Sequence, residues 1–242
     1  KSFLVYHNQA QASKDENYIT SLYSTGYAAL KCNKYKEAQQ YFDKFLSFSD
    51  KFNDANYEAD ATARLADSYF MQKKLSSAIT YYEKCEKMKM GNADYALYQE
   101  AKCYGYQQND KKKIELLERF TQYYTKSPYI DEAEFELAST YHARNQYAIA
   151  IDSYQKFIKK YPKSPYTREA HNRLAQAYLN SQNTDMSIAT FKKVIEQYPG
   201  SQEAKDAMAN LENIYTEMGR TGDFFDYIKS KGNVNISAER QD

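Results

Sequence analysis

Tyr124-Thr-Lys-Ser-Pro-Tyr129, Tyr161-Pro-Lys-Ser-Pro-Tyr166 and Tyr198-Pro-Gly-Ser201 are three spellings of one phrase, each starting 37 residues after the last. A fixed period in this range is the mark of stacked supersecondary units, and it decides the fold before any single helix is placed. The phrase has its own local logic. Ser127 and Ser164 stand before Pro128 and Pro165, which predicts an N-cap serine followed by proline in the first helical position. Pro162 and Pro199 end the preceding helices after Tyr161 and Tyr198.

Working outward, small residues recur at Gly26, Ala66, Ala101, Ala138 and Ala175, with a weaker unit at Glu212. Three residues later come Ala29, then Tyr69, Tyr104, Tyr141, Tyr178 and Tyr215. Twelve after the small residue lie Ala38, Ala78, Lys113, Ala150 and Ser187, and four further on Phe42, Tyr82, Leu117, Tyr154 and Phe191. Phe45, Cys85, Phe120, Phe157 and Val194 follow three beyond that. Offsets of three and four put these residues on one helical face. Small residues let paired helices approach, and the bulky ones fill the gap. Short turns are predicted at Lys34-Tyr35, Gln72–Leu75, Asn109-Asp110, Asn145-Gln146 and Asn183-Thr184.

Composition agrees. The chain has 242 residues with 26 Tyr and no Trp, and only 7 Gly and 4 Pro, so long helices with short turns are favoured. A formal net charge of +1 lacks the concentrated basic surface of a nucleic-acid binder. Lys111-Lys112-Lys113 and Lys159-Lys160 read as solvated faces. No apolar run reaches a bilayer-spanning length of roughly 18–20 residues. Cys32, Cys85 and Cys103 are too few and scattered for a disulfide framework, and a bridge between Cys85 and Cys103 stays open. No nucleophile, base and orienting group can be assembled around His7, His142 or His171, and no metal-ligand spacing occurs. The expectation is no catalytic residue, no cofactor and no metal.

The register of small and aromatic residues resembles the tetratricopeptide repeat (TPR) family, over residues 18–231. The resemblance implies an all-α α-solenoid, a right-handed superhelix of about six helix-turn-helix repeats. Departures are Ala29 for an aromatic, Lys113 for a small residue, and Glu212 and Phe224 at the small sites of the last unit. The joint and the tyrosine content are similar to bacterial cell-envelope members, of the outer-membrane assembly lipoprotein and Tol–Pal coordinator type. Residues 1–17 read as the end of a preceding repeat and 232–242 as a linker toward a further one. With no initiator Met at Lys1, the chain reads as a piece of something longer.

The resemblance also implies which positions line the concave groove. Among them are Tyr23, Tyr27, Asp60, Asp67, Tyr95, Tyr98, Lys102, Phe135, Asn172 and Gln176. Five acids (Asp60, Asp67, Glu132, Glu169 and Asp206) stand against Lys102, and tyrosines and a phenylalanine cluster in repeats one, three and four. The lysine and asparagine of a two-carboxylate clamp are missing, so an acidic C-terminal peptide is not the expected ligand. A protein or peptide segment with aromatic or basic side chains is, bound by a non-catalytic scaffold in a bacterial periplasm or cell envelope. A cytoplasmic setting is the alternative location. The alternative function is a structural spacer or self-assembling array without a groove ligand, whose tyrosines pack only on one another.

Overall fold

In the computed structural model, residues 16–48 and 54–231 are described, and every regular element among them is an α-helix. They are α1 (Glu16–Lys31), α2 (Tyr35–Leu46), α3 (Ala55–Met71), α4 (Leu75–Lys87), α5 (Ala93–Tyr106), α6 (Asp110–Tyr123), α7 (Ile130–Ala143), α8 (Tyr147–Lys160), α9 (Thr167–Asn180), α10 (Thr184–Gln197), α11 (Gln202–Glu217) and α12 (Thr221–Ser230). They form six consecutive pairs, in the α-solenoid class. Most of the segment 1–17, and the whole of 232–242, lie outside the described residues.

The chain divides into two compact units, Lys1–Ile130 and Asp131–Asp242. In the first, Tyr18, Leu22, Phe42, Phe45 and Leu65 form one core cluster, and Ala66, Ala78, Tyr82, Cys85 and Cys103 another. In the second, Phe135, Ala138, Tyr154 and Phe157 are joined by Ala170, Leu174 and Tyr178. Ala175, Phe191, Val194, Leu211, Tyr215 and Phe224 continue the packing. Most of these stand on the small and bulky register positions, and the others, such as Leu22, Leu65, Phe135 and Leu174, fill the space between them. At the first position Gly26 lets the Phe42 ring come close: a Cβ there would sit 3.0 Å from it, so the ring would have to give way. Lys113, out of pattern at a small site, is accommodated by Gly105, whose missing Cβ leaves room for the lysine's Cδ at 3.1 Å.

Every first helix ends the same way. A residue in the left-handed region closes the turn at Asn33, Lys73, Gln108, Asn145, Gln182 and Gly219. The next residue's N–H reaches back five residues to the carbonyl at 29, 69, 104, 141, 178 and 215, at 2.8–3.0 Å. That is the Schellman closure, in which the left-handed residue satisfies carbonyls the helix would leave bare. The first five fall at the predicted turns and the sixth, at Gly219, was not among them; the acceptor is the recurring aromatic position, with Ala29 the exception.

Candidate functional site

The best-developed polar site lies in unit one. Asp60, Arg64 and Asp67 follow one another by four and three residues on α3, so they share a face. The Arg64 guanidinium stands between the two carboxylates, with Nε 3.4 Å from Asp60 Oδ1 and Nη1 on Asp67 Oδ2. Tyrosine hydroxyls complete the shell. Tyr23 donates to Asp60 Oδ2 at 2.6 Å and Tyr27 donates to the same oxygen, while Asn92 Nδ2 donates to Oδ1 at 2.7 Å. Tyr82 and Tyr95 donate to Asp67 Oδ1 at 2.6 and 2.8 Å. The Arg64 guanidinium also lies over the Tyr95 ring at 4.9 Å, a cation–π contact.

The two acids are tuned differently. Burial works against the charge on Asp60, but the Tyr23 and Tyr27 hydroxyls, Arg64 and Asn92 outweigh it and hold the carboxyl below its ordinary value. Asp67 is buried at 9% exposure, and that burial lifts it above its ordinary value despite Arg64 and two tyrosines. Burial and the hydrogen bond to Asp60 push Tyr27 up to about 12, so it remains a donor at physiological pH. Two carboxylates share one guanidinium, which leaves a formal excess of one negative charge. Beside it opens a pocket of about 330 Å³ lined by Tyr23, Asn56, Tyr57, Asp60, Gly91 and Asn92.

The repeated phrase of the sequence turns out to be a clamp. Ser127 Oγ accepts from the Tyr129 N–H at 3.2 Å and donates to Asp94 Oδ2 at 2.7 Å. Ser164 does the same with the Tyr166 N–H and Asp131 Oδ2, at 3.2 and 2.7 Å. The ring two residues on then stacks backward, Tyr129 on Tyr98 at 5.7 Å and Tyr166 on Phe135 at 5.2 Å. The serine thus caps a turn, and regular helix starts at Ile130 and Thr167, two residues beyond the predicted proline start. The third copy differs. Arg168 stands where Asp131 stands one repeat earlier, Gly200 adopts φ +79°, and Ser201 is an ordinary N-cap to the Ala204 N–H at 3.1 Å.

These contacts sort the ten expected groove residues. Tyr23, Tyr27, Asp60, Tyr95, Lys102 and Gln176 keep partial exposure. Tyr98 and Phe135, under the joint tyrosines, are only 1% and 5% exposed, and Asp67 and Asn172 are buried too. Tyr23, Tyr27, Asp60, Asp67 and Tyr95 come together in the unit-one site. Lys102 lies over the Tyr98 ring at 5.4 Å, while Phe135, Asn172 and Gln176 belong to unit two. Arg64, Tyr57 and Asn92 are additions. Arg64 was legible as the middle of an acid–base–acid run at helical spacing. Tyr57 and Asn92 come from the helix starts, where no repeat register points to them.

All three cysteines are free thiols, and burial pushes Cys85 and Cys103 up to about 12. His142 Nε2 lies 3.0 Å from Asn180 Nδ2, and His171 Nδ1 3.0 Å from the Thr167 carbonyl. Among the described residues no three His, Cys, Asp or Glu gather as a metal site, and no helix is long and apolar enough to cross a membrane.

Comparison with known proteins agrees with this architecture. Residues 90–222 match the family model YfiO, described as an outer membrane lipoprotein, and residues 19–52 match a tetratricopeptide repeat model. No curated protein matches the chain. Among solved structures, YrrB, described as a TPR protein with an unusual peptide-binding site, is 16% identical with a TM-score of 0.62, covering 86% of this chain and 97% of its own. The MamA protein is 18% identical at 0.62, covering 76% and 96%. MamA from Desulfovibrio magneticus RS-1 is 12% identical at 0.59, covering 75% and 97%. At these identities the likeness is one of fold.

Proposed function

The chain belongs to the outer membrane lipoprotein family of the YfiO type, built of tetratricopeptide helix pairs, and from that premise we propose a non-catalytic scaffold that holds a protein segment in a bacterial cell envelope. The docking site is the unit-one groove, and the segment presents a lysine or arginine together with an aromatic side chain. One observation carries this reading: Asp60, Arg64 and Asp67 leave one negative charge uncompensated beside an open pocket walled by Tyr23 and Tyr57. An incoming cation would lie against tyrosine faces and restore neutrality, a combination that gives both orientation and on-rate. Tyr57, 37% exposed, offers a ring whose edge-to-face partner Tyr23 is 4.9 Å away, so it is held in place before a ligand arrives.

The test places like charge at the pocket mouth and leaves Tyr23, Tyr27, Arg64 and Asn92, the groups around Asp60, unaltered. Asn56 and Tyr57 are both exposed, so an Asn56→Lys/Tyr57→Lys variant should keep its helical circular dichroism and melting point. Cross-linked capture from an envelope extract should then lose the partners that the unaltered chain retains. Recovery of the same partners by the variant would remove this groove from the interaction.

A further inference from the structure

Unit two carries a second pocket of different chemistry. α8, α9 and α10 enclose about 380 Å³, walled by Ile158, Leu174, Tyr178, Met186 and Ala189. On α9 the lining residues His171, Leu174 and Tyr178 follow at offsets of three and four. They lie roughly 140° around the helix from Asn172 and Gln176, at 100° per residue. The pocket therefore opens on the side of α9 turned away from the expected groove positions. Met186 is 44% exposed at its mouth, an apolar side chain left in water.

The rim fixes the sign of the ligand. Lys159 and Lys193 both line the pocket, and among the described residues neither forms an ion pair. Their neighbours on α8 behave otherwise: Lys156 pairs with Asp152 and Lys160 with Glu134, each at 2.6 Å. The inner wall adds no negative charge. His171 is 5% exposed; burial first, and then the nearby Lys193 ammonium, pull it below its ordinary value, against a carbonyl contact that raises it. It is neutral at physiological pH, and its Nδ1 meets the Thr167 carbonyl and the Tyr198 hydroxyl, 3.3 Å away.

We propose that this pocket is a second docking site, and that its occupant is a protein segment presenting one bulky apolar side chain flanked by carboxylates. The volume suits one large side chain with its backbone, at the small end of ordinary ligand pockets. The two uncompensated ammoniums select acidic flanks, which steer the approach and fix the register. Nothing in this assignment depends on the unit-one groove.

The experiment follows the methionine methyl resonances of the full chain while a peptide, Ser-Glu-Asp-Phe-Asp-Glu-Ser, is added. Met186 should shift and saturate, whereas the exposed Met71 and Met218, which do not line the pocket, should not. Replacing the peptide's Phe by Ala, or its acids by Lys, should weaken binding by about tenfold or more. Lys159→Glu/Lys193→Glu should do the same with an unchanged melting curve, while the control Lys36→Glu/Lys205→Glu stays within about twofold. The proposal is overturned if millimolar peptide leaves Met186 unmoved or shifts all three methionines alike. It is equally overturned if the control pair weakens binding as much, or if Met186 answers only to an anionic lysophospholipid and never to the peptide.

Discussion

At the scale of single residues, unit one stores its polar investment in a few buried groups. Arg64 is the hinge of that arrangement, because it alone faces both Asp60 and Asp67. Arg64→Met should destabilise the chain by roughly 3 kcal/mol, the penalty for leaving a buried carboxylate without its counter-charge. Adding Asp67→Asn should recover part of that in denaturant titrations. Glu100 makes a different case. It is 4% exposed, its Oε2 has no hydrogen-bond partner, and burial pushes it up to about 7 against the pull of Arg119. The unfolded carboxyl ionises near the ordinary value of about 4.3, so between that value and about 7 the folded state holds a proton the unfolded state has lost. Stability therefore falls as pH rises through this window and levels above it. Glu100→Gln should be nearly neutral near pH 4 and stabilising by up to about 3 kcal/mol at pH 8, read from melts across pH. The sequence offered no sign of this group, since a glutamate on a helix looks alike whether a neighbouring pair covers it or not.

At the scale of elements, the periodicity carried most of the fold. Gly26, Ala66, Ala101, Ala138 and Ala175 were legible because close helix approach tolerates only small residues there, and all five are buried. The start of α7 and α9 was less legible. A serine before a proline reads as a cap, but its hydroxyl also binds an aspartate 33 residues back, and pairing across a repeat leaves no local trace. The same limit applies to Tyr98 and Phe135, whose family positions face the groove while the next joint's tyrosine covers them. The six closing turns permit a direct test. Lys73, Gln108 and Gln182 hold φ of about 60° with a side chain that disfavours it. The sixth turn already uses glycine, at Gly219. Lys73→Gly should raise stability by roughly 0.5–1 kcal/mol in thermal or urea unfolding, because relief of the left-handed strain exceeds glycine's extra chain entropy. Asn145→Gly should give less, as asparagine tolerates that region.

For the whole molecule, a net charge of +1 conceals a segregation. One unit turns an excess carboxylate toward its pocket, and the other rims its pocket with two unpaired lysines. Composition alone averages these away, so it carries no trace of either pocket. The third joint has a further consequence, for the order of opening. In unit two, α9 is fastened to α7 by Ser164 on Asp131 and Tyr166 on Phe135, whereas at the next joint Arg168 replaces the acid, and Ser201 caps its own helix instead of reaching back to a carboxylate. Repeat arrays melt by neighbour interfaces, so the weakest seam frays first. Under mild denaturant, amide exchange should release α11 and α12 as one early cooperative block, while α7 to α10 stay protected together. Simultaneous exchange of all six helices would mean that the serine–carboxylate latch contributes nothing to their cohesion.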